Sequence, residues 1–149
     1  MEALLVAELK AQANAHNVTW EVALRADAAA SDSRDRRNLL RLVGWAMPAV
    51  EKRLLEPGKP KLLVHAGLLA RYGKMDTLDR LRDLCERDRG APGYVLLLPM
   101  DGQATAPLVD GEHLPLVLSS QWARVGEGWL GNVHRGISEP QPKESAVVR

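Results

Sequence analysis

Length, composition and charge already exclude several kinds of protein. The chain has 149 residues, of which 46% are apolar, and this is enough for one domain with a buried core. Its 20 basic and 19 acidic residues leave a net charge of +1 and are interleaved along the sequence, unlike the basic stripe of a typical nucleic-acid-binding domain. The single cysteine, Cys85, excludes an intramolecular disulfide and favours a reducing compartment.

The N-terminal residues predict neither a signal peptide nor a membrane span. Glu2 stands where a signal peptide carries positive charge, and no long apolar run follows it. We therefore expect a cytoplasmic protein that makes no membrane contact.

The first two predicted elements are a helix and a strand. Residues 2–14 are rich in helix formers, with Leu5 and Leu9 four apart on one face. In residues 18–27 the spacing of apolar residues changes from helical to alternating, since apolar side chains alternate with polar or small ones. This alternation is the strand signature, although the alanine-rich sequence that follows also suits a helix. We predict a strand that ends near Asp27.

A long helix is predicted over residues 34–55, where apolar residues recur at helical spacing. Ser31 or Ser33 can cap its start. Pro48 falls in its middle, and a proline ring inside a helix meets the carbonyl group four residues earlier. We therefore predict a kink or a break near residues 45–48.

Two continuous apolar runs, residues 61–66 and 94–98, predict short buried strands. Residues 75–90 between them predict an amphipathic helix, with Cys85 on its apolar side as an inert core thiol. Apolar strands that alternate with helices are typical of a parallel sheet covered on both faces.

The C-terminal part predicts a different arrangement. Asp110 and Gly111 stand between two apolar runs, which is a strong signal for a tight β-hairpin. Residues 119–130 predict a short helix followed by a turn. The predicted fold is thus a single α/β domain over residues 1–137, with three mostly parallel strands, covering helices, a C-terminal β-hairpin and a short Trp-bearing helix. Residues 138–149 are expected to form a flexible polar tail.

One glycine-bearing stretch resembles a phosphate-binding loop only in part. The P-loop pattern needs four residues between its glycines and a Ser or Thr after the lysine. Here five residues separate Gly67 from Gly73, and Met75 occupies the hydroxyl position. The intervening residues are bulky and apolar, so we predict a short helical turn whose Leu68 and Leu69 fill the core.

Four side chains are candidates for a ligand site. Ligands of open α/β sheets gather at the carboxyl ends of the strands, and in the predicted fold this edge carries Asp27, His65 and Asp101, with Arg71 nearby. These groups are suited to binding a small ligand or to acid–base hydrolysis. Each also has an ordinary explanation, as a turn cap, a half-buried histidine or a turn residue. No histidines lie at metal-ligand spacing, and we expect neither a metal nor a cofactor.

The late tryptophans are candidates for a protein interface. Trp122 and Trp129 occur close to Arg124 and Arg135, and aromatic and arginine side chains are enriched at binding hot spots. The alternative is that both rings close the core at the far end of the sheet.

Nucleic-acid binding has weaker support. It would need one contiguous patch of the basic residues on the long helix and its end. Acidic residues among them favour an ordinary solvated face instead. The basic residues concerned are Arg34, Arg36, Arg37, Arg41 and Lys52.

A family resemblance is carried by two stretches, LLVHAGLLARYGKMDTLDRLRD and PLVDGEHLPLVLSSQWARVGEGWLGNVHRG. Together they resemble the extreme C-terminal region of large multidomain proteins of the BREX and phage growth limitation (Pgl) systems. The similarity runs from about Val18 to Gly136. The parent is either the kinase-bearing or the ATPase-bearing component of such a system.

The resemblance implies a domain of an antiviral assembly that restricts phage alongside a DNA methyltransferase and a phosphatase-like partner. The resemblance does not imply kinase activity for this chain, because the chain lacks the Gly-rich loop, His-Arg-Asp and Asp-Phe-Gly motifs. We therefore expect a non-catalytic interaction or scaffold domain with protein partners. The alternative is a ligand-binding or hydrolytic domain that uses the strand edge.

Overall fold

The computed structural model of the chain describes residues 1–87, 92–101, 103–126 and 128. Contacts divide the chain into two units, Met1–Pro115 and Leu116–Arg149. None of the helices in these described ranges is long and apolar enough to cross a lipid bilayer. In the first unit, helices α1 to α5 span Glu2–Ala15, Trp20–Asp27, Arg34–Leu55, Gly67–Arg71 and Asp76–Arg87, and strands β1 to β4 span Lys61–Leu63, Tyr94–Leu96, Leu108–Val109 and Glu112–His113.

Helix α3 is the centre of the core, and Ser33 caps its start. The Ser33 hydroxyl accepts a hydrogen bond from the Arg36 N–H at 3.0 Å. Helices α1 and α2 both pack against α3, because its apolar residues recur every three or four positions and form one continuous side. The buried residues of α3 are Leu39, Leu42, Val43, Ala46, Met47, Val50 and Leu54.

Helix α3 runs unbroken through Pro48, so of the kink or break predicted near residues 45–48 the break does not occur. Pro48 is exposed, and open space surrounds Gly44, four positions earlier. Met47 and Val50 are buried on either side of the proline. An interior proline costs a helix roughly 3 kcal/mol, and burial of these two side chains favours the helix at this point.

The residues predicted as the first strand form helix α2 instead. The buried residues of α2 are Ala23 and Ala26, three apart on one face. Val22 and Leu24, which produced the alternating pattern, are 43% and 53% exposed. The side of α2 that carries Ala23 and Ala26 packs against α3, and this helical spacing replaces the alternation seen in the sequence. The predicted set of three parallel strands is therefore wrong at its first member.

The two other predicted strands pair in parallel, as expected. The connection between them contains α4 and α5, which meets the need of a parallel pair for a long crossover. Strands β3 and β4 form a separate antiparallel pair, and the fold is mixed α/β. In the parallel pair, Lys61 lies opposite Tyr94, Leu62 opposite Val95 and Leu63 opposite Leu96.

The first residues of both strands are attached to the C-terminal end of α3. Lys61 Nζ donates hydrogen bonds to the carbonyl oxygens of Arg53, Leu54 and Glu56, at 2.8, 2.6 and 2.9 Å. The Tyr94 hydroxyl donates to Leu54 O at 2.9 Å. Carbonyl groups at the end of a helix lack intrahelical partners and carry partial negative charge, so an ammonium group is favourable there.

The hairpin turn forms at Asp110 and Gly111, as predicted. Both have positive φ, 48° and 88°, which is the requirement of a type I′ turn. The Asp110 carboxylate packs so closely on Gly67 that a β-carbon at Gly67 would overlap it. Gly67 begins the predicted short helical turn, α4, whose Leu69 is buried. This glycine therefore serves close packing against the hairpin.

The second unit is described over residues 116–126 and at residue 128. A short 3-10 helix covers Ser119–Gln121, and Trp122 follows it in extended conformation. The Gln121 side-chain oxygen accepts hydrogen bonds from the N–H groups of Val117 and Leu118, at 2.7 and 3.0 Å. The predicted domain end at residue 137 and the predicted tail lie outside the described residues.

Lys61→Met should lower the free energy of unfolding by about 1–2 kcal/mol, because it removes three hydrogen bonds made by a charged group and keeps the apolar stem. Lys59→Met removes the same charge from an exposed loop residue and should change the value by less than about 0.5 kcal/mol. Urea denaturation followed by circular dichroism measures both variants. Equal effects of the two substitutions would contradict a special role of Lys61.

Candidate functional site

Asp27 and Arg71, two of the four predicted ligand-site residues, form an ion pair. Asp27 ends α2 and Arg71 ends α4. Nε and Nη2 of Arg71 lie 3.0 and 2.9 Å from the two carboxylate oxygens of Asp27. Arg36, in the first turn of α3, donates to the same carboxylate at 2.6 Å. A two-pronged guanidinium–carboxylate pair is among the strongest polar contacts in proteins, and here it joins three helices.

Tyr72 completes this cluster. The Arg36 guanidinium lies 5.2 Å from the Tyr72 ring centroid, and Arg36 Nη2 donates to Arg71 O at 3.1 Å. Burial and the neighbouring charge of Asp27 raise the pKa of Tyr72. We call the four residues Asp27, Arg36, Arg71 and Tyr72 the helix-junction cluster.

The protonation state of Asp27 decides what the helix-junction cluster can do chemically. Partial burial alone would raise the pKa of Asp27, but hydrogen bonds from Arg71 and Arg36 outweigh it and hold this pKa below its ordinary value of 3.8. A carboxylate held ionised by two guanidinium groups is a poor proton acceptor at neutral pH. The cluster is therefore suited to holding helices together and poorly suited to acid–base catalysis.

His65 lies two residues after the end of β1 and lines a cleft at the carboxyl ends of the parallel strands. Its backbone φ is +54°, a region that few residues other than glycine adopt. The His65 carbonyl oxygen accepts a hydrogen bond from the Glu2 N–H at 3.1 Å. The cleft has a volume of about 690 Å³, and its ionisable side chains are Glu2, His65 and Asp110. We call it the strand-end cleft.

The other predicted ligand-site residues do not line the strand-end cleft. Asp101 is exposed, and its carboxylate accepts a hydrogen bond from the Gln103 N–H at 3.0 Å, as in an ordinary turn. Asp27 and Arg71 are paired within the helix-junction cluster. The structure thus brings two of the four candidates together and gives His65 and Asp101 separate surroundings. Across the described ranges, no three His, Cys, Asp or Glu side chains gather as metal ligands.

Arg36 belongs to the helix-junction cluster, although the sequence suggests it for an exposed basic face. Its guanidinium is directed at Asp27, nine residues earlier, and at the carbonyl of Arg71, 35 residues later. Arg41 lies over the Trp45 ring at 5.9 Å. The basic residues of α3 are thus partly engaged in contacts within the fold. No local sequence signal reveals these pairings, since they join separate elements.

A second cleft, of about 390 Å³, lies between α2 and α3. Its floor contains Ala23 and Ala26, and its rim carries His16 stacked on Trp45 with ring centroids 4.2 Å apart. The sequence gives no signal for this cleft, because residues 18–27 show the pattern of a strand.

Trp122 and Arg124, two of the four predicted interaction residues, are described. Trp122 is half-buried and Arg124 is exposed. Trp129 and Arg135 lie outside the described residues.

The prediction that Cys85 is a core thiol is wrong. Cys85 is exposed, because the buried side of α5 is formed by Leu78 and Leu81 instead. Its thiol donates to Pro92 O at 3.3 Å, and partial desolvation raises the pKa of this thiol. A raised pKa keeps a thiol protonated at neutral pH, which does not suit a catalytic nucleophile.

Comparison with known proteins relates the chain to the phage growth limitation proteins. The chain is 33% identical to the probable kinase PglW of Streptomyces coelicolor in an alignment of 129 positions that covers 81% of the chain. The predicted resemblance to the large Pgl proteins is therefore confirmed. Of the two kinds of parent that the sequence left open, the match is with a probable kinase.

The chain spans only 8% of the length of PglW. It is thus homologous to one segment of a far longer protein. No family model matches the chain, and no solved structure matches it either.

Asp27→Asn should destabilise the protein in a pH-dependent manner. The folded-state pKa of Asp27 lies below 3.8. The ionised Asp27 carboxylate therefore stabilises the fold fully above the unfolded-state pKa, and this stabilisation is lost as the pH falls through the folded-state pKa. We expect a loss of about 1–2 kcal/mol in the free energy of unfolding at pH 7. This difference should shrink as the pH falls below 3.8.

The matched control is Asp32→Asn, which removes a carboxylate from an exposed turn residue. Urea denaturation of the three proteins between pH 2.5 and pH 7, in steps of about half a unit, measures both effects. A difference between wild type and Asp27→Asn that stays constant down to the lowest pH would contradict the role of the ionised carboxylate.

Proposed function

We propose that the chain is a non-catalytic interaction domain of a phage-defence protein. The observation that carries the proposal is the 33% identity with the probable kinase PglW over 129 residues. The stretches that resemble BREX and Pgl proteins, residues 62–83 and 107–136, support the same assignment. Such an assembly acts in the cytoplasm, and we extend that location to this chain.

The sequence supports a role without catalysis. The chain contains no phenylalanine and therefore no Asp-Phe-Gly motif, and it has no Gly-rich loop followed by a strand lysine. A kinase needs both to place ATP and its metal ions. The kinase activity that the name PglW implies would thus belong to other parts of that long protein.

The arrangement of the polar residues favours interaction over a strand-edge enzyme. A hydrolytic or ligand-binding site would use Asp27, His65 and Asp101 together. Asp27 is instead held by two guanidinium groups, and Asp101 accepts a hydrogen bond within a turn. His65 lines the strand-end cleft, but neither Asp27 nor Asp101 does.

Large apolar side chains on the surface, among them Leu62, Val95 and Val117, also support an interaction role. Exposed apolar patches on soluble domains commonly mark binding sites. We expect the partners to be other domains of a PglW-like protein, or the DNA methyltransferase and phosphatase-like components of the same system. The binding hot spots expected from the sequence are Trp122, Arg124, Trp129 and Arg135.

The proposed role is tested by deleting the matched segment from PglW of Streptomyces coelicolor. We expect the shortened protein to lose phage restriction and to keep autophosphorylation, because the segment would connect parts of the assembly without taking part in phosphoryl transfer. Plaque counts and incorporation of labelled phosphate measure the two activities. Unchanged restriction would refute the proposal, and loss of autophosphorylation with intact folding would refute its non-catalytic part.

Trp129→Ala/Arg135→Ala tests the predicted hot spots in the chain itself. We expect this double variant to unfold at the same temperature as wild type but to lose capture of purified Pgl components in a pull-down, since aromatic and arginine anchors dominate interfaces. Arg34→Ala/Lys52→Ala, two exposed residues of α3, is the control and should retain capture. A lowered unfolding temperature would show that the Trp129 ring or Arg135 belongs to the core.

A further inference from the structure

The parallel pair β1–β2 has one covered face and one open face. Leu63, Tyr94 and Leu96 pack against the core cluster. Leu62, Val95 and Leu97, at the alternate positions, are 63%, 60% and 53% exposed. Side chains alternate between the two faces of a strand, so these three aliphatic side chains share the outer face.

An open apolar face is unusual for strands that pair in parallel. Parallel sheets occur almost always with both faces covered, and their strands are apolar at successive positions for that reason. Leu62 and Val95 are directly opposite each other in the register, so they form one adjoining patch. The exposed Leu24 on α2, by contrast, does not adjoin the exposed Val22, because side chains two positions apart on a helix do not face each other. The two strands thus have the sequence of a sheet covered on both sides.

The open face continues into the strand-end cleft. Leu97 belongs to both, and the apolar wall of the cleft also includes Val64, Leu98 and Leu108. We call the outer residues Leu62, Val95 and Leu97, together with the strand-end cleft, the sheet-face surface.

The charge of the cleft indicates the kind of group that would enter it. Glu2 and Asp110 supply two carboxylates, and no lysine or arginine is among the residues that line it. The Met1 ammonium donates to Val64 O at 2.8 Å and interacts electrostatically with Glu2, but it is not among the groups that line the cleft. A cationic side chain next to an apolar surface would therefore complement this cleft.

We propose that the sheet-face surface is the docking site for another domain of a PglW-like chain. The docking domain presents an apolar patch that covers Leu62, Val95 and Leu97, and a lysine or arginine that faces Glu2 and Asp110. The related protein supplies such a neighbour, because 92% of its length lies outside the segment to which this chain corresponds. This inference rests on the proposed function and adds to it the surface and the chemistry of the partner.

The test uses PglW of Streptomyces coelicolor without its matched segment as the probe, titrated with the purified chain in a calorimeter. We expect wild type to bind and Leu62→Glu to bind at least about tenfold more weakly, since a charge would then be buried against an apolar surface. Leu24→Glu, the same substitution at a residue 53% exposed on α2, should bind as wild type does. Should Leu62→Glu fail to fold, Leu62→Ser replaces it.

A second variant tests the charge. Asp110→Asn keeps a residue suited to the turn and removes one carboxylate from the cleft. We expect weaker binding at low salt and a smaller loss of affinity between 50 and 300 mM NaCl than for wild type, because exposed charge pairs are screened by salt. An unchanged salt dependence would refute the cationic partner group.

Other outcomes separate this inference from the proposed function. If Leu62→Glu binds like wild type while Trp129→Ala/Arg135→Ala does not, the sheet-face surface is refuted and the interaction role stands. If wild type forms a concentration-dependent dimer in sedimentation and Leu62→Glu does not, the occupant is a second copy, which also refutes the proposal. If wild type fails to bind the probe, no docking by the rest of PglW occurs. The deletion experiment then decides whether the proposed function survives.

Discussion

The attachment of both parallel strands to the end of α3 is the contact on which the first unit depends. Lys61 and Tyr94 face each other in the strand register, and both donate hydrogen bonds to the carbonyl of Leu54. Helix α3 in turn packs against α1 and α2 and carries much of the core. The position of the sheet, and with it of His65 and the strand-end cleft, follows from where that helix ends.

Much of the fold follows from local sequence patterns. The long helix with its serine cap, the helical turn at Gly67 and the hairpin at Asp110–Gly111 were predictable, because each depends on spacing or on turn chemistry within a few residues. Residues 18–27 were not predictable in the same manner. Their side chains alternate in sequence, whereas the residues that α2 buries are Ala23 and Ala26, three apart on the side of a helix that packs against α3.

Two of the four residues predicted for a ligand site meet in the structure, in an arrangement that the sequence does not indicate. Asp27 and Arg71 do meet, but through helix ends and with Arg36 as a third partner. Contacts that join residues 44 apart in sequence leave no local pattern. The open outer face of β1–β2 was missed for the opposite reason. A continuous apolar run indicates a strand covered on both sides, and the sequence does not say whether the cover comes from the same domain.

The exposed position of Cys85 has a practical consequence. The chain contains one cysteine, and its thiol stands on the surface of α5. A maleimide dye or a nitroxide can therefore be attached at a single defined position without engineering a new one. Because the pKa of this thiol is raised, labelling will be slow at neutral pH and faster in mildly alkaline buffer, where more thiolate is present. The chain thus offers one native attachment site for a spectroscopic probe.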